Sequence, residues 1–385
     1  MAGRRELFRD GGLAPEPFVD PTEDGIEDTL HRFMRVTRYS ADPATGFRTA
    51  DPASRKVLLG ETWAQGAVAH SWFHLVGGLA FGRDGSLLVA YGDSDVFSSI
   101  NDACYGLGRT PQNQNIGPLR AQSLDSYNGK ILRIDPLTGL GYPSNPFYTG
   151  DADAIQSRIY ALGLREPFRI GVVPGTGELD PSAGNPGEIL ISVVGWDTWE
   201  WLDVSTGGGE NFGWPFWEAN EEITDYPDNF FDPDRTFGDF SRPLAEDVEF
   251  PILAMNHQPD AAEPIQPPGV IGPGPLPYFN RCIIGGEYYQ GGEYPADLVG
   301  NFFFGDCIWN NLYAAEFDSG GTLQRVKAVG EIILPFSQGF SLTAIRADAL
   351  SGDLFLTALA GVYRLKWTGE SPPPNSIGPG WSRYQ

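Results

Sequence analysis

The chain has 385 residues, of which 13% are aromatic and 20% charged, and it contains 49 glycines and 32 prolines. This composition is typical of many short strands joined by tight turns, and it argues against a helical bundle or a long disordered chain. The net charge is −24, which argues against nucleic acid as a partner because phosphate binding requires a basic surface. An acidic surface is compatible with hard cations such as calcium.

Residues 1–27 are polar and rich in Pro and Gly, and we expect them to be loose. Arg4 and Arg5 are adjacent, but no apolar stretch follows them, so this start lacks the features of an export signal. No apolar run reaches the length of a membrane span. The three cysteines allow at most one internal disulfide, and their spacing matches no zinc-binding pattern.

Short apolar strands bounded by glycines and polar residues then recur along the chain, with no helical periodicity of comparable length. In chain order they include RFMRVTRYSA, GSLLVAYGD, GKILRID, RIYALGL, GEILISVVGW, GNFFFGDCIW, NNLYAAEFD, GDLFLTALAG and GVYRLKW. Recurrence from residue 73 to 367, with long loops between the strands, favours a β-propeller over a sandwich. We expect the propeller to span residues 28–367 and residues 368–385 to form a Pro/Gly-rich tail. The acidic segment 218–250 and the proline-rich segment 259–277 are interpreted as surface loops.

The segment FHLVGGLAFGRDGSLLVAYGD, residues 73–93, predicts a β-hairpin with Asp84 and Gly85 as a two-residue turn. Pairing Arg83 with Ser86 puts His74 opposite Asp95 and makes Asp93 a diagonal neighbour of His74 on the same face. A carboxylate beside an imidazole fixes its tautomer and raises its basicity, as a general base requires. The alternative is a histidine that only satisfies its hydrogen bonds at a strand end.

Several blocks of sequence follow one another in a specific order and spacing. They are HLVGGL at His74–Leu79, FGRDG at 81–85, GD at 92–93, GKILRI at 129–134, LGLR at 162–165, GWDTWEWLDVSTGGGENFGWPFWEA at 195–219, IIGGEYYQGGEYP at 283–295 and GNFFFGDC at 300–307. Together, from about Val36 to Trp367, the chain resembles the soluble quinoprotein glucose/sorbosone dehydrogenase family. The resemblance implies an all-β, six-bladed β-propeller that uses pyrroloquinoline quinone (PQQ) and Ca²⁺. The first blade is expected to be missing or incomplete, because nothing before residue 36 resembles it.

The same resemblance assigns roles to individual residues. It makes His74 the general base that takes the proton of an anomeric hydroxyl, and Asp93 the acid that orients His74. Arg165 corresponds to the arginine that contacts the quinone, although a salt bridge to Glu166 or a nearby loop acid is the simpler reading. Gly195 and Trp196 correspond to the residues whose backbone carbonyls bind calcium, an ion for which such oxygens are normal ligands.

Three positions depart from the family pattern. Glu166 replaces a common asparagine, Ile308 or Trp309 stands where a lysine is found, and an Arg-x-Arg pair has no counterpart before Arg346. The implied function is oxidation of an aldose-type sugar to the lactone, with an external electron acceptor and no nucleic-acid partner. The alternative is a non-catalytic propeller of the same superfamily that binds protein or glycan. A hydrolase is disfavoured because no nucleophile elbow or distinct pair of carboxylates is present.

Similar family members have cysteines at the positions of Cys282 and Cys307, which implies a disulfide, an oxidising compartment and hence a periplasmic or secreted protein. Two buried free thiols are the alternative. Cys104 would then be unpaired. We assign His257 a structural role, and the tryptophans of segment 196–217 to blade packing rather than sugar stacking.

Overall fold

The computed structural model describes residues 33–62, 65–69, 73–95, 114, 116–223, 243–257, 282–318, 321–331, 342–348, 350–358, 361–367 and 381–384. Within these ranges the regular structure is almost all β-strand, with a few short 3₁₀ turns and one four-residue α-helix, α1 (Ile155–Arg158). No helix in the described part is long and apolar enough to cross a bilayer. Four sequence predictions concern parts of the chain outside the described residues. These parts are residues 1–27, Cys104, most of the acidic segment and the whole proline-rich segment.

Three small two-stranded sheets flank the main body. They are β1 (Phe33–Met34) with β4 (Ala67–Val68), β2 (Val36–Ala41) with β3 (Ala50–Leu59), and β12 (Trp217–Glu218) with β13 (Glu221–Glu222).

Four antiparallel four-stranded sheets form the main body, and we call them blades one to four. Blade one contains β5 (Val76–Phe81), β6 (Leu87–Tyr91), β7 (Lys130–Ile134) and β8 (Ile159–Leu162). Blade two contains β9 (Glu166–Val172), β10 (Ile189–Val194), β11 (Trp199–Ser205) and β14 (Leu253–Asn256). Blade three contains β15 (Ile283–Tyr288), β16 (Phe302–Asp306), β17 (Asn311–Phe317) and β18 (Leu323–Glu331). Blade four contains β19 (Leu342–Ala347), β20 (Leu354–Ala358), β21 (Gly361–Trp367) and β22 (Trp381–Tyr384), the last from the segment expected to be a tail.

The first strands of successive blades contact one another, β5 with β9, β9 with β15 and β15 with β19. Glycine permits this close approach, since a Cβ on Gly77 would lie 2.1 Å from the Pro167 carbonyl oxygen. This radial arrangement of blades is the β-propeller architecture predicted from the sequence, and the described residues contain four of its blades.

The core lies between the blades. Every residue of β6 and β10 is buried, because these strands are covered on both faces by neighbouring sheets. That double burial explains why the strands read as continuous apolar runs rather than as alternating patterns. One apolar cluster joins blades one and two through residues such as Leu88 and Ile191, and another joins blades two, three and four.

The predicted register of the first hairpin is wrong by one residue near the turn and, beyond a β-bulge between Val76 and Leu79, by two residues at the end near His74. Gly82 donates its N–H to the Ser86 carbonyl at 2.9 Å, so the turn has three residues, Arg83 to Gly85. Gly85 takes the left-handed conformation, with φ of 78°, that the last position of such a turn requires. Asp84 favours the longer turn because its buried carboxylate accepts hydrogen bonds from Ser86 and pairs with Arg133 at 2.6 Å.

Cys282 and Cys307 form a disulfide, with Cα atoms 5.4 Å apart, as the resemblance implied. The bond joins the start of β15 to the turn after β16 within blade three, and it rules out the two free thiols.

Candidate active site

His74 and Asp93 meet at the open end of the first hairpin. His74 precedes β5 and Asp93 follows β6, and the His74 Nδ1 atom lies 2.6 Å from the Asp93 Oδ1 atom. The rival acid, Asp95, donates its backbone N–H to the same Asp93 oxygen at 2.9 Å. Gly92 makes the approach possible, since a Cβ there would lie 2.4 Å from the His74 carbonyl oxygen.

Asp93 is fully buried, and its second carboxylate oxygen accepts a hydrogen bond from the Trp214 indole at 2.7 Å. Burial alone would raise the pKa of Asp93, but the His74 ring, the Arg165 guanidinium and the Asp95 N–H outweigh it, so the pKa is lowered. An ionised Asp93 accepts a hydrogen bond from the Nδ1–H group of His74. The neutral imidazole therefore carries its lone pair on Nε2.

The Nε2 side of His74 faces Glu166, the first residue of β9. The Glu166 Oε2 atom lies 3.6 Å from Nε2, and the Glu166 side chain is 18% exposed whereas that of His74 is 2% exposed. Burial raises the pKa of Glu166, and Asp93 and Glu200 add to this effect while His74 and Arg165 oppose it. The sequence showed Glu166 only as a departure from the family pattern. Its proximity to His74 results from the contact between β5 and β9.

Arg165 is buried beside this pair. It donates hydrogen bonds to the carbonyls of Val194 and Gly195, and its guanidinium carbon lies 5.5 Å from the centre of the Trp214 ring. Within the described residues Arg165 forms no salt bridge with Glu166. The structure therefore does not show the salt bridge to Glu166 that was the alternative role for Arg165. Its charge is therefore directed toward the end of β10.

The turn from Gly195 to Trp199 is organised by one carboxylate that the sequence did not single out. Glu218 Oε1, on β12, accepts the N–H groups of Trp196, Asp197, Thr198 and Trp199 at 2.8, 2.8, 3.0 and 3.2 Å. In a trans peptide the preceding carbonyl points opposite to the N–H. The carbonyls of this turn therefore point away from Glu218, and that of Gly195 points toward Arg165.

His257 supports the same turn from its other side. Its Nδ1 atom lies 2.8 Å from the Asp197 carbonyl oxygen, and its Nε2 atom lies 2.7 Å from Glu200 Oε1. Glu200 Oε2 accepts the N–H of Ile283 at 2.8 Å, which links blade two to blade three. The structural role expected of His257 thus includes positioning the Gly195 turn.

Two arginines project from the inner strands and connect the blades. Arg169 on β9 donates to the Gly77 carbonyl on β5 at 3.0 Å, and Arg346 on β19 donates to the Gly286 carbonyl on β15 at 3.2 Å. Arg346 also lies 3.5 Å from Glu287. Burial, together with the nearby Arg346, lowers the pKa of Arg169. The sequence drew attention to Arg346 alone, because the position of Arg169 depends on how β9 faces its neighbours.

The residues found in place of the family lysine lie in the turn after β16. Ile308 and Trp309 donate their N–H groups to Asp306 Oδ1, and the Trp309 side chain is largely exposed. Neither side chain supplies a cation to the site.

A family model described as Glucose / Sorbosone dehydrogenase matches residues 47–245, just over half of the 385-residue chain. The chain belongs to the glucose/sorbosone dehydrogenase family. The match includes His74, Asp93, Arg165, Glu166, the Gly195 turn and Glu218, whereas His257 and Arg346 lie beyond its end.

Solved structures are similar to this chain at low sequence identity. The apo-form of the soluble aldose sugar dehydrogenase from Escherichia coli is 14% identical to this chain, with a TM-score of 0.50. The match covers 86% of this chain and 72% of the Escherichia coli chain. The calcium structure of a Trichoderma reesei carbohydrate-active enzyme of family AA12 is also 14% identical, with a TM-score of 0.50. The match covers 86% of this chain and 76% of the Trichoderma reesei chain. The PQQ-bound aldose sugar dehydrogenase from Streptomyces coelicolor is 16% identical, with a TM-score of 0.46. The match covers 91% of this chain and 70% of the Streptomyces coelicolor chain. No curated protein matches the chain.

Proposed function

We propose that the protein oxidises the anomeric carbon of an aldose-type sugar to the lactone, using PQQ and Ca²⁺. The observation that carries this proposal is the 2.6 Å contact between His74 Nδ1 and the buried, ionised Asp93, which leaves Nε2 as a base. Bound PQQ would supply a two-electron acceptor for the hydride that leaves the anomeric carbon. The hydroxyl proton passes to His74 Nε2, and an external acceptor finally takes the electrons.

The protein's part in this reaction is to bind the sugar, orient the base and stabilise the charge that the base acquires. Asp93 holds the imidazole in one tautomer and stabilises the imidazolium after proton transfer, as a carboxylate partner does for other histidine bases. The Trp214 indole and the Asp95 N–H fix Asp93 in turn. The base is therefore held in place before substrate arrives, which reduces the reorganisation needed for proton transfer.

The residues on β9 and in the Gly195 turn have the chemistry that PQQ and Ca²⁺ would require. Backbone carbonyls are normal calcium ligands, so Gly195 and Trp196 would hold the ion through theirs, and calcium would take the place of Arg165 at the Gly195 oxygen. Among the described residues there is no cluster of three or more His, Cys, Asp or Glu side chains that could hold a metal. Arg165, together with Arg169 and Arg346 on the inner strands, would provide positive charge for an anionic quinone.

Two further proposals concern the whole protein. We infer that the four described blades belong to a six-bladed ring, to which the strand pairs β1–β4 and β2–β3 also contribute. We also infer a periplasmic or secreted location, because the Cys282–Cys307 disulfide is most stable in an oxidising compartment.

The test is reconstitution with PQQ and Ca²⁺, followed by sugar-dependent reduction of an external dye. His74→Ala should lower kcat by about 10²-fold or more, the usual contribution of a positioned base. Quinone uptake, measured by absorbance, should persist in this variant. The exposed capping residue Asp180 provides a control, and Asp180→Asn should retain full activity. If the wild-type protein takes up no quinone at micromolar concentration, the proposal is wrong and the non-catalytic binding propeller is favoured.

A further inference from the structure

We propose that Glu166 determines specificity, and that it selects aldoses that carry an ammonium group on the carbon next to the anomeric carbon, as in 2-amino-2-deoxy sugars. This inference rests on the proposed function, because it assumes that the anomeric hydroxyl binds to His74 Nε2.

The two ring nitrogens of His74 differ in how open they are to a substrate. The Nδ1 side of His74 is closed by Asp93, which is itself held by Trp214. The Nε2 side faces Glu166, and Glu166 is the more exposed of the two side chains, at 18% against 2%. Within the described part of the chain, a hydroxyl that reaches Nε2 from solvent therefore passes close to the Glu166 carboxylate.

The spacing between His74 Nε2 and the Glu166 carboxylate fits two neighbouring substituents of one sugar. A hydroxyl bound to Nε2 and a group bound to the Glu166 carboxylate would each sit about 2.8 Å from their partners. Vicinal gauche substituents on a pyranose ring are themselves about 2.9 Å apart, because the bonds are staggered. Since Nε2 and the Glu166 Oε2 atom are separated by 3.6 Å, one sugar can bridge them with its anomeric hydroxyl and its neighbouring substituent.

The charge of the Glu166 carboxylate favours a cationic substituent. Among the described residues, the Glu166 carboxylate accepts no hydrogen bond, and its ion pair is with His74. Arg165 lies nearby, but its hydrogen bonds go to the Val194 and Gly195 carbonyls. When His74 is neutral, as a base must be, the half-buried Glu166 carboxylate has no cation bonded to it. A substrate ammonium would form a charge-assisted hydrogen bond there, whereas a hydroxyl forms a weaker one and an acetamido group is bulkier and uncharged.

The experiment compares kcat/KM for glucosamine, glucose and N-acetylglucosamine in the wild-type holoenzyme and in Glu166→Gln. The wild type should prefer glucosamine to glucose by about tenfold or more, the difference between a charge-assisted and a neutral hydrogen bond. Glu166→Gln keeps the shape of the side chain but removes its charge, and it should abolish this preference. Glu316→Gln, which removes a carboxylate paired with Arg325 on outer strands, is the matched control and should keep the preference.

The pH dependence provides a second readout that a purely structural role for Glu166 would not produce. The preference should disappear at acid pH as Glu166 is protonated, and the raised pKa of Glu166 places this loss above the range of an ordinary glutamate. It should also disappear at alkaline pH as the sugar amine loses its proton. An unchanged glucosamine-to-glucose ratio in Glu166→Gln, or a wild type that prefers glucose, would overturn the inference while leaving the dehydrogenase proposal intact.

Calorimetry on the protein without cofactor separates the two proposals. If no sugar is oxidised, the proposed function fails, and binding alone then decides the role of Glu166. Tighter binding of glucosamine than glucose in the wild type, but not in Glu166→Gln, would support selection of a cationic sugar. Equal binding of the two sugars in the wild type would refute it.

Discussion

His74 combines an unusual backbone conformation with two different environments for its ring nitrogens. Its φ of 52° lies in the left-handed region that side chains rarely adopt, and its carbonyl accepts the Ser94 N–H at 3.1 Å. Residues held in such conformations concentrate at functional sites, where surrounding contacts stabilise them. Here the contacts come from Gly92 and Ser94, and the conformation aims the ring at Asp93.

Replacing Asp93 with asparagine should greatly reduce activity in the reconstituted enzyme. The amide keeps the shape of the side chain but cannot stabilise the imidazolium, so kcat should fall by about 10²- to 10⁴-fold. The measurement is steady-state dye reduction, with thermal unfolding to establish that the variant is folded.

Asp95→Asn is the matched control for this prediction. Its backbone N–H, which binds Asp93, is retained in the variant. An equal loss of activity in Asp95→Asn would show that the general charge of the region, rather than the contact between Asp93 and His74, is responsible.

At the scale of secondary-structure elements, the Gly195 turn is held by side chains from β11, β12 and the end of β14. Glu218 binds its N–H groups, and His257 binds one of its carbonyls while contacting Glu200 on β11. Both ring nitrogens of His257 face acceptors, which favours the doubly protonated imidazolium. The turn is therefore coupled to the protonation of His257.

This coupling predicts that stability falls as pH rises. Burial alone would lower the pKa of His257, but Glu200, Glu218 and the Asp197 carbonyl outweigh it, so the pKa is raised above its ordinary value. A raised folded-state pKa gives stability that is fully present below about pH 6.5, the ordinary value for histidine, and is lost as pH rises through the folded-state value.

Burial also raises the pKa of Glu200, against the opposing effects of His257 and the Ile283 N–H. This raised pKa likewise makes the folded protein less stable as pH rises. We therefore expect the melting temperature of the cofactor-free protein to decline as pH rises, first above about pH 4.3 through Glu200 and further above about pH 6.5 through His257. His257→Gln should flatten that decline, and a matching decline in both proteins would contradict the role of His257. The measurement is thermal unfolding across a pH series in the presence of a chelator.

The sequence was sufficient to predict most of the elements but not how they are placed against one another. The apolar runs at β6, β10 and β16 read directly as buried strands, and the order of motifs indicated the propeller. The register of the first hairpin could not be predicted, because Asp84 pairs with Arg133, which lies 49 residues away in the sequence. Likewise, Glu166 reaches His74 only through contact between blades, and Glu218 reaches the Gly195 turn from a separate strand pair.

At the scale of the whole molecule, contacts between inner strands and one covalent link supplement blade packing. Arg169 and Arg346 bind carbonyls on neighbouring inner strands, and Cys282–Cys307 closes a loop within blade three. The arginine contacts resist separation of the blades, which otherwise depend on apolar packing between twisted sheets, and the disulfide stabilises blade three itself.

The double variant Cys282→Ser/Cys307→Ser should be less stable than the wild type by about 3 kcal/mol, as expected for a disulfide that closes a loop of about 25 residues. Urea unfolding measures this difference. Dithiothreitol should lower the stability of the wild type to that of the variant and leave the variant unchanged. Equal stability of wild type and variant without reductant would contradict the prediction.

Trp214 donates its indole N–H to Asp93 and lies beneath the Arg165 guanidinium, with 5.5 Å between guanidinium carbon and ring centre. Its emission is therefore sensitive to the electric field created by both groups. The protein thus contains an intrinsic optical probe, whose signal can be isolated from that of its other tryptophans by subtracting the spectrum of Trp214→Phe. Arrival of a charged ligand can then be followed in milliseconds, without a label and before any turnover.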